Sequence, residues 1–268
     1  MHVQAVLANI FQKENFQTLF KGVIMLSYVT TFKSGNDYTT DDVIALANQV
    51  KKNLSIPHEF ICYSDTPIYS DLVTTIDLKS HFPGDWYQLE AWKHTGATII
   101  SDLNILITGN IDELAKIAKD CAEDEIYMCR PQIKKIRDLG HWASKVVVFN
   151  GDWSFVYRKP ITSSKWVFMQ ISSTIKDSNN FVNILQDEVD GIYSFNYLPQ
   201  HNVKPDDAKI IFFNKRPLLS ACKLQWVKDI YNEIILHSSK HVSDETDQPE
   251  DQPEDQTPSC SAESNEYM

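Results

Sequence analysis

Two oxygen-bearing side chains interrupt an apolar run at Ile99-Ile100-Ser101-Asp102-Leu103-Asn104-Ile105-Leu106-Ile107. An ionised carboxylate in such a run needs a partner, because burying it alone costs on the order of several kcal/mol. If the run is one strand, alternation sends Asp102 and Asn104 to the same side, the spacing at which two oxygen ligands share a hard cation and a pyrophosphate. A single Asp at a strand end also serves as a turn or helix cap, and spacing alone leaves the two uses level.

Three further stretches carry polar chemistry. Residues 28–38 run from an apolar strand into a loop of hydroxyls, a Lys, a Gly and an aromatic. Thr30 and Thr31 can hydrogen-bond a base edge there, and Tyr38 can stack on it. The plainer reading is a polar loop leading into a helix cap near Asp41. Residues 210–217 are a β-run ending in Asn214-Lys215-Arg216, where Lys215 offers a phosphate a point charge and Arg216 a bidentate fork, or both are simply solvated. Residues 185–190 hold an acidic cluster in which Asp187 is either a catalytic or acceptor-binding carboxylate or part of a solvated helix face.

The elements that must position these groups alternate along the chain. β-rich runs fall at 23–32, 59–63, 72–78, 97–107, 125–130, 145–149 and 209–213, with helical patterns at 40–52, 86–94 and 111–119. That alternation predicts an α/β layer fold with a mainly parallel central sheet. Ligands of such sheets bind outside the carboxyl ends of the strands, which points to the segments after Phe32, around Asp102 and after Phe213. Trp226, Val227, Ile230, Tyr231, Ile234 and Ile235 recur at helical spacing and predict a closing amphipathic helix.

With 268 residues, 43% hydrophobic and 23% charged, the chain can bury a full core, which excludes a disordered or fibrous protein. The net charge of −11 is uneven: residues 239–268 carry nine acids and one lysine, a charge of −8, leaving −3 for the rest. Neither part has the basic footprint of a nucleic-acid binder. The last 30 residues repeat Gln-Pro-Glu-Asp and read as a disordered acidic tail, residues 1–22 as an N-terminal extension, and residues 23–238 as the folded domain. Five cysteines, odd in number and without a Cys-x-x-Cys pair, fit a reduced cytoplasmic setting. No stretch approaches the ~20 apolar residues of a membrane span, and no export signal is visible. Oligomeric state is not readable.

Taken in order, these segments resemble the glycogenin-like, family 8-related nucleotide-sugar glycosyltransferases of the GT-A fold. The match is densest from Trp86 to Leu114: Gln88-Leu89-Glu90-Ala91-Trp92, then Ala97-Thr98-Ile99-Ile100-Ser101-Asp102-Leu103-Asn104, then Thr108-Gly109-Asn110-Ile111-Asp112-Glu113-Leu114. The resemblance implies a Rossmann-like mixed, mainly parallel sheet flanked by helices, with a nucleotide-sugar donor such as a UDP-sugar. It implies a glycan, protein or small-molecule acceptor, and Mn2+ or Mg2+ acting as Lewis acid on the leaving diphosphate. Carried over by position, Thr30, Thr31 and Tyr38 hold the nucleoside, and Gln88 contacts the donor. Asp102 and Asn104 take the metal and ribose with Asn214 as a further metal position, Asp187 takes the reacting sugar, and Lys215 or Arg216 the diphosphate. The chain departs from the family pattern where Asn104 replaces an Asp, Gln88 a Lys, and Phe213 or Asn214 a His. Those departures keep open a relative that retains the fold as a catalytically weak or inactive binding or scaffold protein. A nucleotidyltransferase is disfavoured, since no Gly-rich basic loop follows the first strand.

Overall fold

The computed structural model describes residues 25–79, 82, 84–161, 166–198, 200–214 and 217–243. β1 (Leu26–Phe32) is buried along its whole length, as an apolar strand covered on both faces must be. It lies between β2 (His58–Ser64) and β4 (Thr98–Ser101) and runs parallel to both, with β3 (Thr74–Asp77) as a parallel edge beyond β2. Beyond β4 come β7 (Ala143–Phe149) and β6 (Glu125–Cys129), each antiparallel to the strand before, then β8 (Phe181–Ile184) parallel to β6. The seven-stranded order is β3-β2-β1-β4-β7-β6-β8. Only β7 is reversed, so the carboxyl ends of the other six strands and the start of β7 share one edge.

The helices are α1 (Thr40–Asn53), α2 (Asp112–Asp120), α3 (Lys134–Asp138), α4 (Phe155–Arg158), α5 (Val167–Lys176), α6 (Leu185–Glu188) and α7 (Gln225–Ser243). α1 starts where Thr39 N–H donates to Asp42 Oδ2 at 2.8 Å, and its acidic first turn and basic last turn both suit the helix dipole. Its apolar stripe, Val43, Leu46, Ala47 and Val50, covers the β1 face that carries Leu26, Tyr28 and Phe32. The opposite face, with Val29, Ile61 and Ile100, is covered by the 3-10 helix Gly84–Lys93 and by Trp153 and Ile171. Trp86, Leu89 and Trp92 of that helix pack on this core at intervals of three, the repeat that lines up side chains in a three-residue turn and explains why the expected helix is not α.

The run 97–107, read from sequence as one strand, is broken. Asp102 N–H still donates to Lys145 C=O at 3.1 Å, but Asn104 N–H folds back onto Asp102 Oδ1 at 3.2 Å, a turn closed by the Asp side chain. β5 (Ile105–Ile107) then leaves the main sheet and pairs antiparallel with β10 (Ile210–Phe212), which pairs parallel with β9 (Ile192–Ser194). This three-stranded sheet, absent from the sequence expectation, packs with Phe195, Phe213, Leu219 and Val227 in a third core.

The loop into β9 turns on Gly191, at φ 83°, whose carbonyl accepts from Lys209 N–H at 2.8 Å and Ile210 N–H at 3.0 Å. A Cβ here would stand 2.3 Å from the Asp207 carbonyl oxygen. Gly191→Ala is therefore expected to lower unfolding free energy by about 2 kcal/mol or more in urea titration, and a loss below about 0.5 kcal/mol would contradict the reading.

The expected N-terminal extension lies outside the described residues, as does the tail from 244 onward, while α7 continues past residue 239 to Ser243. Among the described residues no helix is long and apolar enough to cross a membrane.

Candidate active site

Asp102 stands at the carboxyl end of β4, its side chain 11% exposed. Oδ1 accepts the Asn104 N–H, and Oδ2 is ion-paired with Lys145 Nζ. Burial pushes the carboxyl pKa up, but the Lys145 charge and hydrogen bond, with the backbone N–H groups of Asn104 and Leu103, hold it below the usual carboxylate range. The group is an anion with its own cation attached.

β7 bulges against β6 beside Lys145. Met128 faces Val147 across the β6–β7 ladder, yet Cys129 faces Ala143, so Ser144, Lys145 and Val146 bow out of register beside the end of β4. The ladder with β4 survives through Ser101 opposite Val146. One step further, the same register sets Lys145 opposite Asp102, whose N–H donates to the Lys145 C=O.

Thr31, Tyr38, Tyr87, Gln88, Asp102 and Ser144 line a narrow cavity of about 20 Å³, room for about one water. A larger ligand has to lie above it or part its walls. Burial, then the negative charge of Asp102, raises the pKa of both phenols, so Tyr38 and Tyr87 stay neutral hydroxyls. The side chains of Asn36 and Gln88 beside Tyr87 oppose this rise without reversing it.

The sequence candidates divide. Thr31, Tyr38, Gln88 and Asp102 meet in this cleft. Thr30 does not: it is fully buried on the other side of β1, and its hydroxyl donates to Ser101 C=O at 2.9 Å. Strand alternation would set Asn104 beside Asp102 on one face, but the turn carries it away. It is 2% exposed, its Nδ2 donates to Phe213 C=O at 3.3 Å, and its Oδ1 accepts from Leu219 N–H at 2.8 Å. The amide ties the turn to the second sheet. Asn214 donates from Nδ2 to Ser194 Oγ at 2.6 Å, within that second sheet.

Asp187, in α6, is on the same carboxyl edge and ion-paired with Arg130, while Gln186 Oε1 accepts the Arg130 N–H at 2.8 Å. β8 is three positions from β4, about 14 Å at ~4.8 Å per strand, so Asp187 serves a different part of any ligand than Asp102 does. Lys215 and Arg216 lie outside the described residues. Sequence reasoning missed Lys145, Tyr87 and Ser144.

The donor set does not fit a divalent cation. Asp102 offers one carboxylate whose oxygens are already engaged by an ammonium and a backbone N–H, and the amides of Asn104 and Asn214 are committed elsewhere. Among the described residues no three His, Cys, Asp or Glu side chains gather into a metal-binding group. The expected Mn2+ or Mg2+ site at Asp102, Asn104 and Asn214 thus lacks its ligands.

A wider depression of about 400 Å³ opens beside Phe195, His201, Pro217, Cys222 and Leu224. Lys223 also lines it, but its walls are mostly apolar and lack a carboxylate, so the smaller cleft at Asp102 is the one that holds a carboxylate–ammonium pair.

The layered sheet, with its cleft at the carboxyl edge of β4, is a GT-A-type, Rossmann-like α/β fold. Among solved structures the chain is similar to the galactosyltransferase LgtC in complex with donor and acceptor sugar analogs, at 8% identity and a TM-score of 0.50, over 79% of this chain and 95% of that one. It is likewise similar to an active-site mutant of LgtC, at 10% identity and a TM-score of 0.52, over 84% of this chain and 98% of that one. No protein-family model and no curated protein matches the sequence.

Proposed function

We propose that the chain is a glycosyltransferase that moves a sugar from a nucleotide-sugar donor, a UDP-sugar in the first instance, to an acceptor hydroxyl. The observation that carries this reading is the ion-paired Asp102 at the carboxyl end of β4, opening into a cleft walled by Tyr38, Tyr87 and Gln88 in a GT-A fold. In the reaction the bond from the sugar's anomeric carbon to the β-phosphate oxygen breaks, and a bond to the acceptor oxygen forms. The acceptor gives up its proton, and the nucleoside diphosphate leaves with the bonding electrons.

On this reading Thr31 and Tyr38 border the nucleoside, since both line the cleft after β1. The Tyr38 and Tyr87 hydroxyls, kept neutral, are donors available to phosphate or sugar oxygens. Asp187, further along the edge and held by Arg130, is the carboxylate for the sugar end of an extended donor. No step is routed through a divalent cation. A reducing, cytoplasmic setting is supported by Cys62, Cys121, Cys129 and Cys222, all buried free thiols.

The test is incubation of purified protein with a panel of UDP-, GDP- and ADP-sugars, alone and with simple sugar acceptors, reading released nucleotide. Slow release of nucleoside diphosphate, accelerated by one acceptor class, is the expected outcome. Release of nucleoside monophosphate with sugar 1-phosphate, or no release from any donor, would overturn the assignment.

A further inference from the structure

A diphosphate brings a pair of negative charges into the cleft, and some cation has to meet them. An ammonium already stands at the end of β4. We propose that Lys145 is the resident cation of this cleft, binding the diphosphate of a nucleotide donor directly and without a divalent ion, an inference that rests on the glycosyltransferase reading of the same cleft.

Four observations converge on Lys145. The antiparallel β4–β7 register sets it opposite Asp102 at the carboxyl end of β4, the edge where an extended ligand lies in such sheets. Its ammonium has three donors, and among the described residues its hydrogen-bond partner is Asp102 Oδ2, which leaves donors for an anion. The side chain is 24% exposed, so those donors are reachable from solvent. A dication seeking Asp102 would have to displace this ammonium from one oxygen and could not recruit Asn104.

Lys suits the task as a compact point charge that can turn from carboxylate to phosphate without leaving either. Asp102 is then a positioning residue: itself part of the cleft wall, it holds Lys145 beside that wall rather than loose in solvent.

Calorimetric titration of the full chain with UDP, GDP, ADP and CDP, once in EDTA and once in manganese, tests this, together with a titration of manganese alone. The expected result is binding of at least one nucleoside diphosphate with affinities in EDTA and manganese that agree within about twofold, and no saturable heat from manganese alone. Lys145→Met should weaken that binding by about tenfold or more, while Lys145→Arg, which keeps the charge, stays within about threefold of the parent. Should the methionine variant fail to fold, the arginine variant and the metal arms still decide the matter. Binding that appears only with manganese would overturn the role of Lys145 and leave the glycosyltransferase reading standing. Metal-free binding unchanged in Lys145→Met would also overturn it, whereas no binding of any diphosphate under either condition removes the nucleotide-cleft reading itself.

Discussion

Lys93→Met is expected to lower the unfolding free energy by about 3–5 kcal/mol, the usual cost of stripping one partner from a buried ion pair. Its partner Glu90, in the 3-10 helix, is fully buried. Among the described residues no hydrogen-bond donor other than the Lys93 ammonium reaches its carboxylate oxygens, so that ammonium alone balances the charge. Lys93 also lies 4.8 Å from the centre of the Tyr157 ring and 5.6 Å from that of Tyr63, and the same substitution takes its charge away from both ring faces. Urea unfolding of the parent and of Lys93→Met measures the loss. The double variant Glu90→Met with Lys93→Met should recover most of it, because two apolar side chains leave no charge stranded. A single variant within about 1 kcal/mol of the parent would mean that solvent or a local rearrangement reaches Glu90.

The second large effect is on turnover. Asp102→Ala is expected to reduce donor hydrolysis and transfer by about 10²-fold or more, since a charged group displaced by about 1 Å loses that much in a preorganised site. With the carboxylate gone, Lys145 loses its anchor and the turn loses the bond from Asn104 N–H, but the two amide bonds from Asn104 to Phe213 and Leu219 remain. The thermal midpoint should therefore fall by only a few degrees while activity collapses, and following both on one preparation separates a site effect from unfolding. Activity equal to the parent would remove Asp102 from the mechanism.

Much of the scaffold could be read from residue order. β1 and β4 announce themselves as short β-rich runs of apolar, aromatic and hydroxyl residues without a charge, all buried because both strands are covered on two faces, and α1 carries its own start signal in Thr39 and Asp42. β10 is legible as the run 209–213, but β5 merges with β4 and three-residue β9 is too short for any period to show, which is why the second sheet is invisible in the sequence and 97–107 looks like one strand. That error propagates: alternation puts Asn104 beside Asp102, whereas the turn between them ends alternation at Ser101. Lys145 was open to discovery by the argument that singles out Asp102. A lysine directly before Val146-Val147-Val148-Phe149, all fully buried, needs a partner as much as a carboxylate between isoleucines does. What could not be read is the β4–β7 register that sets the two opposite one another, because it is a pairing that neither strand encodes alone.

The Asn104 amide joins points 109 and 115 residues apart along the chain. During synthesis at about 5–20 residues per second, the second of those partners emerges roughly 6–23 s after Asn104 itself. β1 and β2 with α1, all encoded before residue 65, can associate in that interval, but the turn presenting Asp102 cannot be locked. The cleft is thus a late product of translation: a chain halted short of Leu219 keeps most of its sheet-forming sequence and lacks the clasp that shapes its site.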